Sequence, residues 1–179
     1  MMQEETILPA IDDFNQDRQA GLRPGVVICI INKELKILLG LKQEYQIWEI
    51  PQGGIPMGED LVSALKKEVT EEMGERFLKS LFIPEKPLVA TDKIIFPEQS
   101  LGGQILKVGG REVPMVGKKY YVCLVVQREN IEPEKIEYSE FKWVSFDEGR
   151  KVVETIPQKG KKRVLKKILE VLRDGGLIK

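Results

Sequence analysis

The stretch from Asp60 to Met73, DLVSALKKEVTEEM, most constrains what this chain can fold into. At about 100° per residue, Leu61, Leu65, Val69 and Met73 fall on one stripe of a helix, which must be buried against a sheet. Three glutamates share the segment: Glu68, Glu71 and Glu72. Glu72 projects between the lines of Leu61 and Leu65, Glu68 lies on the adjoining edge, and Glu71 sits just beyond it. Ser63, Lys66 and Thr70 take the wet side. An ionised carboxylate bordering a buried stripe is costly unless a cation or hydrogen bonds compensate. Three of them also repel one another, and a divalent ion resolves both problems. Taken alone, KKEVTEE is more often a solvated face laced by pairs such as Lys67 with Glu71. What surrounds it therefore decides its meaning.

The surroundings read as one domain of strands mixed with helices. GVVICII (25–31) and LKILLGL (35–41) form an expected hairpin, and a short strand around Gln46 to Ile50 runs into Pro51 and an expected turn at Gly53-Gly54. Further strands are expected at 88–96, 118–126 and 136–146. The glycine-rich insertion near 98–116 reads as a loop or loose hairpin. Lys161 to Arg173 is amphipathic, with Val164, Leu165, Ile168, Leu169 and Leu172 on one side. Residues 1–20 are polar and acidic and read as a flexible or loosely packed extension before a domain spanning 21–179. Strands with two such helices predict an α/β (α+β) helix–sheet–helix sandwich.

Composition narrows the chemistry. The chain of 179 residues holds 28 basic and 28 acidic side chains and no histidine. Ser-His and Cys-His nucleophilic sites and His-ligated zinc are thus excluded, which leaves carboxylates, lysines and metal-activated water. Oxygen ligands without histidine or thiolate favour a hard cation, magnesium or manganese. Cys29 and Cys123 sit inside apolar runs and read as buried free thiols. No apolar run approaches a bilayer span and the start lacks a signal-peptide pattern, so a cytoplasmic protein with no membrane partner is expected.

A fixed spacing overturns the bland reading of the glutamates. Gly53, five residues, Glu59, seven residues, then Lys67-Glu68-Val69-Thr70-Glu71-Glu72-Met73-Gly74 resembles the Nudix box, G-x5-E-x7-R-E-U-x-E-E-x-G-U with U apolar. Two positions depart from it. Lys67 stands where the pattern has arginine, and Glu75 replaces the final apolar residue. Trp48-Glu49-Ile50-Pro51-Gln52-Gly53-Gly54-Ile55 resembles the W-x-x-P-Q-G-G-I of bacterial RNA pyrophosphohydrolases and the related dinucleoside polyphosphate hydrolases. Gly21-Leu22-Arg23-Pro24 matches their G-x-R-P, and Gly117-Lys118-Lys119-Tyr120-Tyr121 their G-x-K-x-aromatic strand. Glu137 to Val144 is similar to their E-F/Y-x-x-W-x-W-V segment, with Phe141 at the first tryptophan position.

The resemblance implies a Nudix fold, with a mixed β-sheet between helices, and hydrolysis of a nucleotide pyrophosphate bond. It implies Glu68, Glu71, Glu72 and Glu137 as catalytic residues that, with the carbonyl of Gly53, hold magnesium or manganese. The general base is left between Glu72 and Glu137, with Glu140 a solvent-facing competitor. Glu59, Lys67 and Gly54 are implied supports. Arg23, Lys42 and Lys119 are implied substrate contacts, Arg23 on a phosphate and Lys42 near the first base. The implied substrate is 5′-triphosphorylated or diphosphorylated RNA; a dinucleoside polyphosphate is the alternative, and a non-catalytic binding domain a third. From the residues alone, Trp48, Tyr120 and Trp143 read as sheet or core aromatics, and Lys161, Lys162, Lys166 and Lys167 as the wet face of a packed helix.

Overall fold

The computed structural model describes residues 7–179. Its frame is one mixed sheet. Strand β1 (Leu22–Ile31) lies at the centre, paired in parallel with β9 (Gly117–Gln127) from Leu22 opposite Gly117 to Ile31 opposite Val126. On its other side β1 meets β2 (Ile37–Lys42), which is flanked by β10 (Tyr138–Val144). Two short strands, β3 (Ile47–Glu49) and β4 (Gln52–Gly54), pair with β2 and β1. β5 (Leu81–Phe82) and β6 (Leu88–Ile95) pair with β9. All pairings but β1 with β9 are antiparallel, and a mixed sheet of this kind agrees with the expected class.

Because β1 and β9 are apolar on both faces, helices must cover both. Val26, Ile28, Ile30, Tyr121, Cys123 and Val125 face α1 (Ile11–Gln19), α2 (Leu61–Met73) and α3 (Glu75–Lys79). Val27, Cys29, Ile31, Tyr120 and Val122 face α4 (Phe146–Glu154) and α5 (Lys159–Asp174). Both cysteines are free and buried, on opposite faces. α2 starts where the Asp60 side chain accepts from the Ser63 amide at 2.8 Å. It ends at Gly74, where φ is +92° and an added Cβ would lie 2.6 Å from the Glu134 carboxylate carbon. Leu61, Leu65, Val69 and Met73 are all buried beneath it. On α5, the expected apolar residues Val164, Leu165, Ile168, Leu169 and Leu172 are the buried ones.

Two expectations need correction, and a third is narrowed. Gly53-Gly54 is not a turn but part of β4, hydrogen-bonded in register with Val26 and Gly25. Of the two readings of the insertion the structure takes the hairpin, β7 (Ile105–Val108) with β8 (Arg111–Pro114), turned at Gly109 and Gly110 with positive φ. The segment expected to be loosely packed forms α1 over residues 11–19; residues 1–6 of that expectation lie outside the described residues. Phe14 is fully buried, edge-on to Tyr121 at 5.0 Å between centroids. A single buried aromatic with polar neighbours carries little periodic signal, which is why the pattern reading missed it. Among the described residues no helix is long and apolar enough to cross a membrane.

Phe14→Ala is expected to cost about 3 kcal/mol of stability, as for a fully buried aromatic. Urea denaturation checks it; a loss below about 0.5 kcal/mol would restore the loosely packed extension.

Candidate active site

Strand β4, the end of β2, the residue before β10 and one edge of α2 converge near the start of β1. β4 brings Gly53 so close to α2 that an added Cβ would lie 1.9 Å from the Glu68 carboxylate carbon. Only glycine lets that carboxylate sit on the backbone. One turn on, Glu72 is 2 % exposed. Its Oε1 accepts from Lys42 Nζ at 3.2 Å, while its Oε2 is buried without a partner. Glu137, just before β10 and half-exposed, accepts from the same Lys42 ammonium at 2.6 Å. Glu71 is exposed, on the rim of a hollow of about 350 Å³ that it shares with Arg23, Gly54, Lys67 and Glu68. Glu140 is exposed, as expected.

The electrostatics follow from this packing. Burial, reinforced by the charge of Glu68, pushes the Glu72 carboxyl up to about 8 against the pull of Lys42. Burial also raises Glu68, with the charges of Glu71 and Glu137 adding to it. Glu137 is held below the ordinary carboxylate range by its hydrogen bond from Lys42. Burial opposes the charge on Lys42, but its bonds to Glu137 and Glu72 outweigh that and hold the ammonium above its usual range. Lys42 therefore stands as an internal counter-ion, in the acidic cluster as well as on the cleft wall.

The donor set suits a hard divalent cation. It offers an orphaned, buried carboxylate oxygen on Glu72, a carboxylate on Glu68 seated against bare glycine backbone, and no nitrogen or sulfur ligand. Among the described residues, no three acidic, histidine or cysteine side chains are already gathered as a metal cage.

The supporting pair has a defect. Lys67 Nζ reaches Glu59 Oε1 at 3.5 Å, and Glu59 Oε2 is left buried without a partner. One ammonium serves one oxygen here, where a guanidinium fork can serve two.

Beside the carboxylates runs a cleft of about 210 Å³ whose wall includes Arg23, Lys42, Gly53, Gly54, Lys118, Tyr120 and Lys161. Arg23 lines both this cleft and the Glu68–Glu71 hollow, close enough to Gly54 that an added Cβ would lie 2.8 Å from its Nη2. Among the described residues no carboxylate pairs with Arg23 or Lys118. Burial and the neighbouring charges of Arg23 and Lys161 hold Lys118 below its ordinary value.

The structure does not bring Lys119 into this cleft. Neighbouring strand residues face opposite ways, and Lys119 pairs with Asp17 of α1 at 3.2 Å on the other face. Lys118 takes the cleft side instead; the alternation of GKKYYVC gave a signal for this, since Lys118 shares parity with Tyr120. Lys161, read as part of a wet face, also lines the cleft and lies 3.9 Å from Glu49. Lys162, in contrast, pairs with Glu154, Lys167 with Asp92, and Lys166 is exposed. Tyr138, buried, donates to Glu49 at 3.0 Å and lies 5.0 Å beneath Lys42; nothing in its spacing marked that role. Trp48 is half-buried under the Lys142 ammonium at 4.0 Å, and Tyr120 is both a core residue and part of the cleft wall.

The pattern of the NUDIX domain matches residues 21–167. The chain is 27 % identical over 159 residues to an RNA pyrophosphohydrolase of Pelagibacter ubique, covering 84 % of this chain and 94 % of that protein. It is 28 % identical over 163 residues to an RNA pyrophosphohydrolase of Pasteurella multocida, covering 87 % and 77 %. Among solved structures it resembles a Caenorhabditis elegans Ap4A hydrolase in a binary complex (TM-score 0.58, 16 % identity, 86 % of this chain and 97 % of the other). It also resembles a NUDIX hydrolase of Nitrosomonas europaea (TM-score 0.59, 15 % identity, 86 % and 90 %). At those identities the structures establish the fold.

Two expectations follow from the geometry. The folded-state value for Glu72 lies above its ordinary 4.5, at about 8, so between these the folded chain holds more protons than the unfolded one. Without metal, stability therefore falls as pH rises through that window. Glu72→Gln removes the ionisation, and in chelator at pH 8.5 it should be more stable than the parent by about 1 kcal/mol or more, an advantage that vanishes near pH 4. Urea melts across pH test this, and a parent equally stable at pH 8.5 contradicts the buried-charge assignment. Lys67→Arg should gain about 0.5–1 kcal/mol by giving Glu59 Oε2 a donor. A melting temperature that does not rise speaks against an unmet carboxylate there.

Proposed function

Because the chain belongs to the NUDIX family of hydrolases, we propose that it is an RNA 5′ pyrophosphohydrolase, releasing pyrophosphate from 5′-triphosphorylated RNA or phosphate from the diphosphorylated form. The name borne by the relatives that match most of its length supports this reading. The observation that carries it is the layout of charge: an acidic cluster around the buried Glu72, and beside it a cleft whose wall holds Arg23 and Lys118, without a carboxylate partner among the described residues, together with Lys161.

Glu68, Glu72 and the Gly53 carbonyl would hold magnesium or manganese, with Glu71 and Glu137 as additional acidic groups. Bound there, such ions would neutralise phosphate oxygens and acidify a water molecule. The residues of the chain do the rest. Arg23 grips oxygens of the 5′ phosphate group, a charge-assisted contact for which its planar fork is suited. Glu137, kept ionised by Lys42 and open to solvent, accepts the proton of the attacking water. The new bond joins that oxygen to phosphorus, the bond to the leaving pyrophosphate breaks, and a 5′-monophosphate remains. Tyr120, two residues from Lys118 on β9, is part of the same cleft wall and would border the leading nucleoside.

A dinucleoside polyphosphate carries its charge in one run between two nucleosides. RNA carries charge on both sides of its first nucleoside. Four cations on the cleft wall, Arg23, Lys42, Lys118 and Lys161, therefore favour RNA over the dinucleotide reading. A non-catalytic module is disfavoured because clustered carboxylates beside a buried stripe cost stability that a module released from catalysis has little reason to bear.

Arg23→Ala should lower kcat/KM on triphosphorylated RNA by about tenfold or more, while stability changes by less than about 0.5 kcal/mol and metal affinity holds. Arg23→Lys should not restore the loss. Turnover of triphosphorylated RNA beside diadenosine tetraphosphate, with magnesium, measures both points. Parent-like turnover by Arg23→Ala, or a strong preference for the dinucleotide, sinks the assignment.

A further inference from the structure

Helix α1 ends before the family-matched stretch begins at residue 21, yet it is fastened to the fold more tightly than a leading segment needs. Asp17, nearly buried, accepts from Tyr121 Oη at 2.5 Å and from Lys119 Nζ at 3.2 Å. Next to it, Arg18 is 5 % exposed. A buried guanidinium with so little water must meet strong acceptors. Its Nη1 donates to Asn15 Oδ1 at 3.0 Å, within α1. Its Nη2 donates to the main-chain carbonyl of Ile55 at 2.6 Å, thirty-seven residues away.

Ile55 occupies a decisive place. It follows Gly53 and Gly54 at the exit of β4 and precedes the segment that leads through Glu59 to the Asp60 cap of α2. Its amide donates to the Pro24 carbonyl of β1 at 3.1 Å, and its side chain is buried in the core beneath α2. With Arg18 on its carbonyl, the peptide units on both sides of Ile55 are fixed, one by the sheet and one by α1. The relation so fixed is the one between Gly53 and the Glu68 carboxylate seated on it.

We propose that Arg18 is a positioning residue of the active site, and that α1 belongs to the catalytic apparatus by clamping the exit of β4 through the Ile55 carbonyl. The inference rests on the reading of Glu68, Glu72 and Gly53 as the metal-holding set. Arg18 acts through the backbone: it touches neither phosphate nor metal, and it sets the distance between β4 and α2 at which the donors converge. A charge-assisted bond to a carbonyl, made from a side chain already immobilised by burial, holds that distance better than a solvent-exposed contact would.

The test compares Arg18→Met, which keeps the apolar stem and loses the donors, with Leu172→Ala on α5. Leu172 is fully buried on the opposite face of the sheet and lowers stability without touching β4. Three quantities are read: Mn²⁺ affinity by calorimetry, amide exchange over residues 53–56 in chelator, and kcat with KM on triphosphorylated RNA. Arg18→Met should weaken Mn²⁺ binding by about tenfold, the scale for residues that orient metal ligands. It should also speed exchange at Ile55 and lower kcat by about tenfold with a smaller change in KM. Arg18→Lys, which can still donate one bond to the carbonyl, should recover part of each loss. Leu172→Ala should lose stability with none of these effects. Parent-like Mn²⁺ affinity in Arg18→Met, or an equal loss in Leu172→Ala, overturns the positioning role while leaving the metal site standing. A parent that binds no Mn²⁺ overturns the metal-holding set, and the inference with it.

Discussion

The burial of Glu72 is the constraint around which the rest of the site is arranged. A carboxylate at 2 % exposure, one helical turn from Glu68, is unstable as an isolated feature, because desolvation and like charge both oppose its ionisation. The fold answers locally with Lys42, whose ammonium bridges Glu72 and Glu137. That answer is partial, since one oxygen of Glu72 remains without a partner. A site whose charge is balanced by a neighbouring lysine on one oxygen only has room, electrostatically, for a second cation. The same balance explains why Glu68 and Glu137 differ: Glu68 is seated against backbone and raised by burial, whereas Glu137 faces solvent and is lowered by its bond to Lys42.

The sheet makes this arrangement possible by what it leaves out. Pairing of β4 with β1 lays two glycines against α2 and Arg23, at positions where any Cβ would collide with Glu68 or approach the guanidinium. The close approach is thus a property of strand register and side-chain absence together. A turn at the same residues could not have held them so firmly, because a turn lacks the ladder bonds that tie Gly53 opposite Val26. Parallel pairing of β1 with β9 then places Arg23 opposite Lys118, which puts two cations on one face at the mouth of the cleft. Strand alternation sends Lys119 to the other face, where Asp17 neutralises it.

Much of this was legible in the sequence, for identifiable reasons. Strong periodicity made α2 and α5 readable, and continuous apolar runs made β1, β2 and β9 readable. Glutamates bordering an apolar stripe pointed to the acidic cluster, because their angular positions depend only on helix geometry. What stayed hidden depended on tertiary contact. α1 has one core residue, so its pattern is weak. α4 begins with Ser145 and Glu148 as a capping box, a signal present in the sequence but masked by the apolar end of β10. Lys42 reads as a basic residue at a strand end, and its place between two carboxylates arises from β2, β10 and α2 meeting in space.

The two departures from the box illustrate how a motif can be kept while its supports drift. Glu75 stands where the pattern has an apolar residue, yet it is exposed and paired with Lys79, and Phe77 two residues on supplies the burial instead. The helix exit is therefore sealed by another side chain at little cost. Lys67 is not compensated in that way, because among the described residues no other donor reaches the second oxygen of Glu59. The difference is physical. Apolar burial is non-directional and can be moved to a neighbour, whereas a buried carboxylate oxygen needs a donor at its own position. Glu59 lies on the segment between Ile55 and the start of α2, so the weaker clamp at Lys67 leaves more of the alignment of that segment to its other holds, the Ile55–Pro24 ladder bond and the bond from Arg18. Helix α1 thus bears, through Arg18, on the same segment that Lys67 holds through one oxygen of Glu59.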